Sequence, residues 1–277
     1  MVAFWQKKRM ILLLGVLSGV LISLTFVRPY QDEITLSYLV LQLSGARGTF
    51  ALNCSLTELV RFMLCMIPNV LVIMVLGNRL YRHFCTASVY VFSRCPDRLI
   101  WYQKSLAGLF GQVVLFEAVF AAAAVLAALP RCRITVSPGD VRLLGFHVLI
   151  YVLWLFGWVL LTNLLAVCFG SSRSFMAVMT VQAFCTAVLA GIRFLEIKQV
   201  SEHVIMWLLA MNPVAHTVLS WHRGAPFADE LAESRYALSP IGSAVLFVLL
   251  DIGIMAVGGI FIRRRDLLSD DRETEEG

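Results

Sequence analysis

The chain has 277 residues; 59% are hydrophobic, only 15% are charged, the net charge is +5 and the mean hydropathy is +0.80. Soluble domains carry about 25% charged residues, so this composition excludes an ordinary soluble fold. Lys and Arg lie mainly at the ends of apolar blocks, where they orient a membrane protein, and this argues against a nucleic-acid partner.

The apolar residues fall in continuous blocks of about 20, the length that crosses a bilayer as a helix. Backbone groups in a bilayer must be satisfied internally, so spanning segments are helices or closed barrels. The blocks lack the period-2 alternation of barrel strands. The prediction is an all-α integral membrane protein with six transmembrane helices in a single domain, 1–277. The spans are placed at 10–27, 58–77, 105–129, 144–170, 175–195 and 240–262.

Lys7, Lys8 and Arg9 precede the first span. Its end, Leu24 to Arg28, lacks a small-x-small cleavage pattern, so it reads as an uncleaved anchor with a cytoplasmic N-terminus. Gly15 and Gly19 form a GxxxG, a possible close helix contact. The run Ile34 to Leu43 is too short to span and reads as an interfacial or helix-end segment. Pro68 is a candidate kink in the second span.

Residues 78–104 carry Arg79, Arg82, Arg94, Arg98 and Lys104 against one acid, Asp97. This positive-inside signal places the segment in the cytoplasm. With Tyr90, Phe92, Trp101 and Tyr102 it suits an amphipathic helix at the membrane surface. Residues 130–143 read as an outer loop, and Ser171 to Ser174 as a tight inner turn. The stretch Val204 to Trp221 is broken at Asn212-Pro213. If it spanned, Arg263 to Arg265 would fall outside, so two short helices dipping into the outer interface fit better. The acidic tail, 266–277, reads as disordered. Both termini are then cytoplasmic.

There is no GxxxxGK[ST], HExxH or GxSxG, hence no nucleotide cradle and no catalytic motif in this chain. No catalytic residue is assigned. Glu117 and Asp251 are costly at depth and are functional candidates by default. The alternative is pairing with neighbours, Arg61 and Arg193 being possible partners. His203, His216 and His222 match no helical face, so they read as surface or interface residues, with no metal site. Trp5, Trp154, Trp158, Trp207 and Trp221 read as interface anchors or packing residues.

The seven cysteines show no metal-ligand spacing. Cys54 and Cys132 both fall on the expected outer side, near the ends of spans two and three. If those spans pack side by side, a disulfide between them is an even choice against two free thiols.

The stretch Tyr90-Val91-Phe92-Ser93-Arg94-Cys95-Pro96-Asp97-Arg98-Leu99-Ile100-Trp101-Tyr102-Gln103-Lys104 resembles the cytoplasmic coupling segment of ABC-2-type transporter permeases. More narrowly it resembles small bacterial permeases linked to antimicrobial-peptide export or self-protection. The ending Gly259 to Leu267 and the outer segment around Asn212-Pro213 are similar to the same family. The resemblance covers the layout of the whole chain and rests on these short stretches. It implies a multi-pass permease of the bacterial cytoplasmic membrane, paired with a second permease subunit as a homodimer or heterodimer. A cytoplasmic P-loop ATPase subunit would dock on Tyr90, Phe92, Arg94, Arg98, Trp101 and Lys104, with ATP and Mg held by that partner and no cofactor in this chain. Outer half-helices hinged at Asn212 and Pro213 would gate the external mouth. The rivals are an intramembrane enzyme using Glu117 or Asp251, and a non-transporting toxin-immunity membrane protein.

Overall fold

In the computed structural model, residues 2–27, 33–44, 56–82, 97–222 and 238–264 are described. The long helices are α1 (Val2–Phe26), α3 (Leu56–Leu76), α5 (Arg98–Ala128), α6 (Pro138–Phe169), α7 (Ser171–Ile197) and α9 (Pro240–Arg264). Each is long and apolar enough to cross a membrane. The shorter elements are β1 (Glu33–Thr35), α2 (Leu36–Leu43), α4 (Arg79–Tyr81), β2 (Arg133–Thr135) and α8 (Glu202–Met211). The chain is a mostly helical, multi-pass membrane protein.

Successive long helices reverse direction. A Cβ on Gly15 would meet Val119 and one on Gly19 would meet Phe120, so α1 and α5 run parallel. Gly157 faces Asp251 and Gly258 faces Leu164, so α6 and α9 also run parallel. β1, α2, β2, α8 and the start of α9 therefore gather at one end of the bundle. The starts of α1 and α5, α4 and the end of α9 lie at the other. Glu33 to Thr35 pair in parallel with Arg133 to Thr135.

The GxxxG is a close contact. A Cβ on Gly19 would lie 2.4 Å from the Phe120 carbonyl and 3.0 Å from the Ala123 Cβ. Only hydrogen at that position lets α1 approach the α5 backbone this closely. The short α2 packs on the bundle with Leu36, Leu39, Val40 and Leu43 buried. Its Ser37 hydroxyl donates to the Asp140 carboxylate.

Several helix ends differ from the sequence-based spans, and α1 already starts at Val2 rather than at 10. Helix α5 starts at Arg98 rather than at 105, because Asp97 caps it: its carboxylate accepts from the Leu99 and Ile100 amides at 2.9 and 3.2 Å. Helix α6 starts at Pro138 rather than at 144. Ser137 and Asp140 form a reciprocal capping box there, with Pro138 in the first turn. The tight turn expected at Ser171 to Ser174 is instead the first turn of α7. The chain reverses at Gly170 alone, which adopts φ +84°. The proposed tail, 266–277, lies outside the described residues.

Helix α3 continues through Pro68 to Leu76 and breaks at Gly77-Asn78 before α4. The fully buried Asn163 of α6 closes that break. Its Oδ1 accepts from the Leu80 amide at 2.7 Å, and its Nδ2 donates to the Leu76 and Val159 carbonyls at 2.9 and 2.8 Å. A Cβ at Gly77 would lie 2.5 Å from the Ile73 carbonyl and 2.7 Å from the Thr162 methyl, which explains the glycine.

Candidate functional site

Three polar groupings interrupt the apolar bundle. The first is the basic element at the start of α5. Arg98, Trp101 and Lys104 are on one continuous helix with the third span. That helix has 31 residues, about 46 Å at 1.5 Å per residue, against a hydrocarbon core of roughly 30 Å. Its basic first turns therefore have length to project beyond the core. Two bonds tie α5 to other helices, one at its basic end and one near its middle. Arg79 donates to Gln112 Oε1 at 2.9 Å, and the Tyr102 hydroxyl donates to the Met255 carbonyl at 3.2 Å. Room for Tyr102 exists because a Cβ at Gly258 would lie 2.3 Å from its hydroxyl. Tyr90, Phe92 and Arg94 lie outside the described residues.

The second grouping holds the two intramembrane acids. Glu117 and Asp251 are 1% and 5% exposed, and each has one carboxylate oxygen with no hydrogen-bond partner among the described residues. Arg61, a candidate partner, turns elsewhere. It donates to Gln42 and to the Phe26 carbonyl, and its guanidinium stacks on the Phe26 ring at 5.0 Å. The side chain of Arg193 lies outside the described residues. Glu117 lies within electrostatic reach of Tyr151. Tyr151 belongs to an aromatic file along α6, His147, Tyr151, Trp154 and Trp158, with consecutive ring centroids 4.4, 6.1 and 6.4 Å apart. Neither His147 nitrogen nor the Trp154 indole nitrogen finds a partner among the described residues. Each buried polar atom of this kind calls for a partner to offset its desolvation.

Asp251 is separate from that file. A Cβ on Gly157 would lie 2.6 Å from its Oδ1, so glycine at 157 makes space for the carboxylate. Asp251 lines a cavity of about 410 Å³ between α5, α6 and α9.

The third grouping was not legible in the sequence. His216 and His222 converge on Ser243 in the first turn of α9. Its hydroxyl oxygen is 2.7 Å from His216 Nδ1 and 2.9 Å from His222 Nε2. All three are buried, which corrects the surface reading of these two histidines; His203 is exposed as expected. His216 Nε2 faces the Ala210 carbonyl at 2.9 Å. A carbonyl only accepts, so Nε2 carries the hydrogen, and in a neutral ring Nδ1 accepts from Ser243. His222 Nε2 then donates to the same serine oxygen, completing a relay from residue 222 to residue 210. Burial lowers the pKa of both imidazoles. His222 falls to about 4, with the neighbouring His216 adding to the effect.

The stretch Val204 to Trp221 holds no helix long enough to span. Helix α8 has 10 residues, about 15 Å, and two 3-10 turns, Ala215–Thr217 and Leu219–Trp221, replace the second predicted half-helix. Asn212 is tied at both ends of its amide, donating to the Cys185 carbonyl at 2.8 Å and accepting from the Val214 amide at 2.9 Å. Pro213 follows in the turn. Trp154, Trp158 and Trp221 are packing residues, and Trp207 is exposed on α8.

Cys54 lies outside the described residues. Cys132, the other end of the expected disulfide, is a buried free thiol 3.4 Å from the Ala128 carbonyl. The described residues hold no group of three or more His, Cys, Asp or Glu side chains arranged for a metal ion. No protein-family model, curated protein or solved structure matches the chain.

Proposed function

We propose that the chain is the membrane-spanning permease subunit of an ATP-driven ABC-2-type exporter. It moves an amphipathic or peptide-like substrate outward and relies on a separate cytoplasmic ATPase. The observation that carries this reading is the unbroken α5. It joins the basic-aromatic element at Arg98, Trp101 and Lys104 to the mid-membrane Glu117 without a hinge. A load applied to the basic end of such a rod reaches the bundle through the Tyr102 bond to the Met255 carbonyl of α9 and, further along, through the Gln112 bond to Arg79 of α4. The resemblance of residues 90–104 to the family's coupling segment supports the same reading, as does the absence of a nucleotide-binding motif. A second permease subunit completes the assembly. The end carrying the termini is cytoplasmic, consistent with Lys7 to Arg9 and Arg263 to Arg265. On the outer side, α8 and the Asn212-Pro213 turn form the gate.

The test is charge reversal at the docking element. Arg94→Glu with Arg98→Glu releases the ATPase from the purified complex while the chain still inserts and remains monodisperse. Retention of the ATPase at wild-type stoichiometry contradicts the docking role.

A further inference from the structure

We propose that the groove between α5 and α9 is a binding site for an amphipathic monocation, with Asp251 as its charge partner. The ligand class is a hydrophobic body bearing one ammonium or comparable positive group. The inference rests on the exporter reading for its meaning as a cargo site, while the binding itself belongs to this chain alone.

The geometry has three parts. Among the described residues, Asp251 is the only charged side chain lining the 410 Å³ cavity; the walls around it include Leu106, Phe110, Leu153, Phe156 and Met255. Its Oδ2 is buried and has no hydrogen-bond partner among the described residues. An unpaired acid near the middle of a span is costly, and a bound cation offsets that cost in an environment of weak screening. Phe110 of α5 and Phe156 of α6, both in the lining, meet edge-on at 5.2 Å, and ring faces attract a cation. The cavity continues into a second, of about 460 Å³, which shares Gln103, Leu106, Ile252 and Met255 and ends at Arg263. Together they form an apolar groove along α9, acid at mid-span and base at one end. This polarity favours a ligand whose positive head sits at Asp251 and whose apolar body lies towards Tyr102, and it disfavours a second positive charge at the Arg263 end.

Other occupants fit less well. A lipid headgroup stays at the membrane surface, whereas Asp251 lies near the middle of the 25-residue α9. A second copy of the chain would need to bring a cation to mid-span. Among the described residues, no exposed Lys or Arg lies there.

The experiment uses the full chain in phosphatidylcholine nanodiscs and measures equilibrium binding of radiolabelled tetraphenylphosphonium. Tetraphenylborate, of matching size and opposite charge, is the control. Wild type is expected to show one saturable cation site and no saturable borate site. Asp251→Asn weakens cation binding at least tenfold. Leu106→Trp, which fills the groove and leaves the carboxylate in place, does the same. Unchanged binding in both variants, equal binding of the borate, or efficient crosslinking of Phe110→Cys between two copies overturns the proposal. No ATPase is present, so failure here leaves the docking test untouched.

Discussion

The side-chain amide of Asn163 and the backbone of Leu80 form a 2.7 Å hydrogen bond across two helices, and the same side chain also serves the Leu76 carbonyl. The break between α3 and α4 is therefore held from α6. Inside a bilayer, a broken helix survives only where its freed backbone groups find partners. Asn163→Leu strands both groups and costs about 1–3 kcal/mol for each one left buried and unsatisfied. The expected result is a clear drop in thermal stability in detergent. Thr162→Val, which loses only a bond to the Trp158 carbonyl of its own helix, is the matched control and should shift far less.

Glycines divide sharply by what surrounds them. Gly19 and Gly258 are pressed against a neighbouring helix, whereas a Cβ at Gly111 or Gly253 meets nothing within 4 Å. Gly19→Ala should destabilise the bundle by about 1–3 kcal/mol through overpacking against the α5 backbone, and Gly258→Ala by less, because the atoms it meets are the side-chain ends of Tyr102 and Leu164. Gly111→Ala and Gly253→Ala should be neutral or slightly stabilising, since alanine favours the helix. Unfolding curves of the four variants decide this; equal effects across the two pairs would mean that α1–α5 and α6–α9 do not pack as described.

The segment 202–222 should be sensitive to acid. His216 and His222 have folded pKa values below the ordinary histidine value of about 6.5, with His222 at about 4. Folding therefore favours their neutral forms. The stability they contribute is fully present above pH 6.5 and is lost as the pH falls; for His222 the loss runs down to about pH 4, by up to about 1.4 kcal/mol per unit. Protonating His216 also turns the Ser243 hydroxyl away from Nδ1 to its other neighbour, the Ser239 carbonyl at 3.0 Å. Limited proteolysis of residues 202–222 should accelerate over that window in wild type and lose much of its pH dependence in His222→Gln. An identical pH profile in the variant would remove His222 from the account.

Why some of this was legible and some was not follows from the range of the interactions. The six spans are local signals: apolar blocks with basic ends. Gly15 and Gly19 also announced a close contact. Helix starts were misplaced because hydropathy ignores caps, although Ser137-Pro138-Gly139-Asp140 is a readable capping box and Asp97 a readable cap. The burial of His216 and His222 is not legible because a relay through Ser243 joins residues 21 and 27 positions apart, and no spacing rule covers such a join. Asn163 reads as one more polar residue in an apolar run, since its partners lie 83 and 87 positions away. Glu117 and Asp251 were found by their cost at depth, but the choice of Arg61 as partner failed: Gln42 on α2 captures that guanidinium.

Orientation in the membrane is open to direct labelling. Single cysteines near Pro138 and Ala228 should react with an impermeant thiol reagent added from outside, and those near Ser88 and Glu275 should not. External labelling at Glu275 would reverse the assignment of the carboxyl end.

The most direct test of the exporter reading is ATP hydrolysis by the complex isolated on this chain. The tagged chain, purified in mild detergent from its own cells, is expected to bring down a subunit carrying GxxxxGK[ST]. The complex should show vanadate-sensitive hydrolysis that disappears with Arg94→Glu and Arg98→Glu. A chain that purifies without any such subunit, and that hydrolyses a lipid or peptide by itself or protects cells from a toxin after the ATPase is deleted, would contradict it.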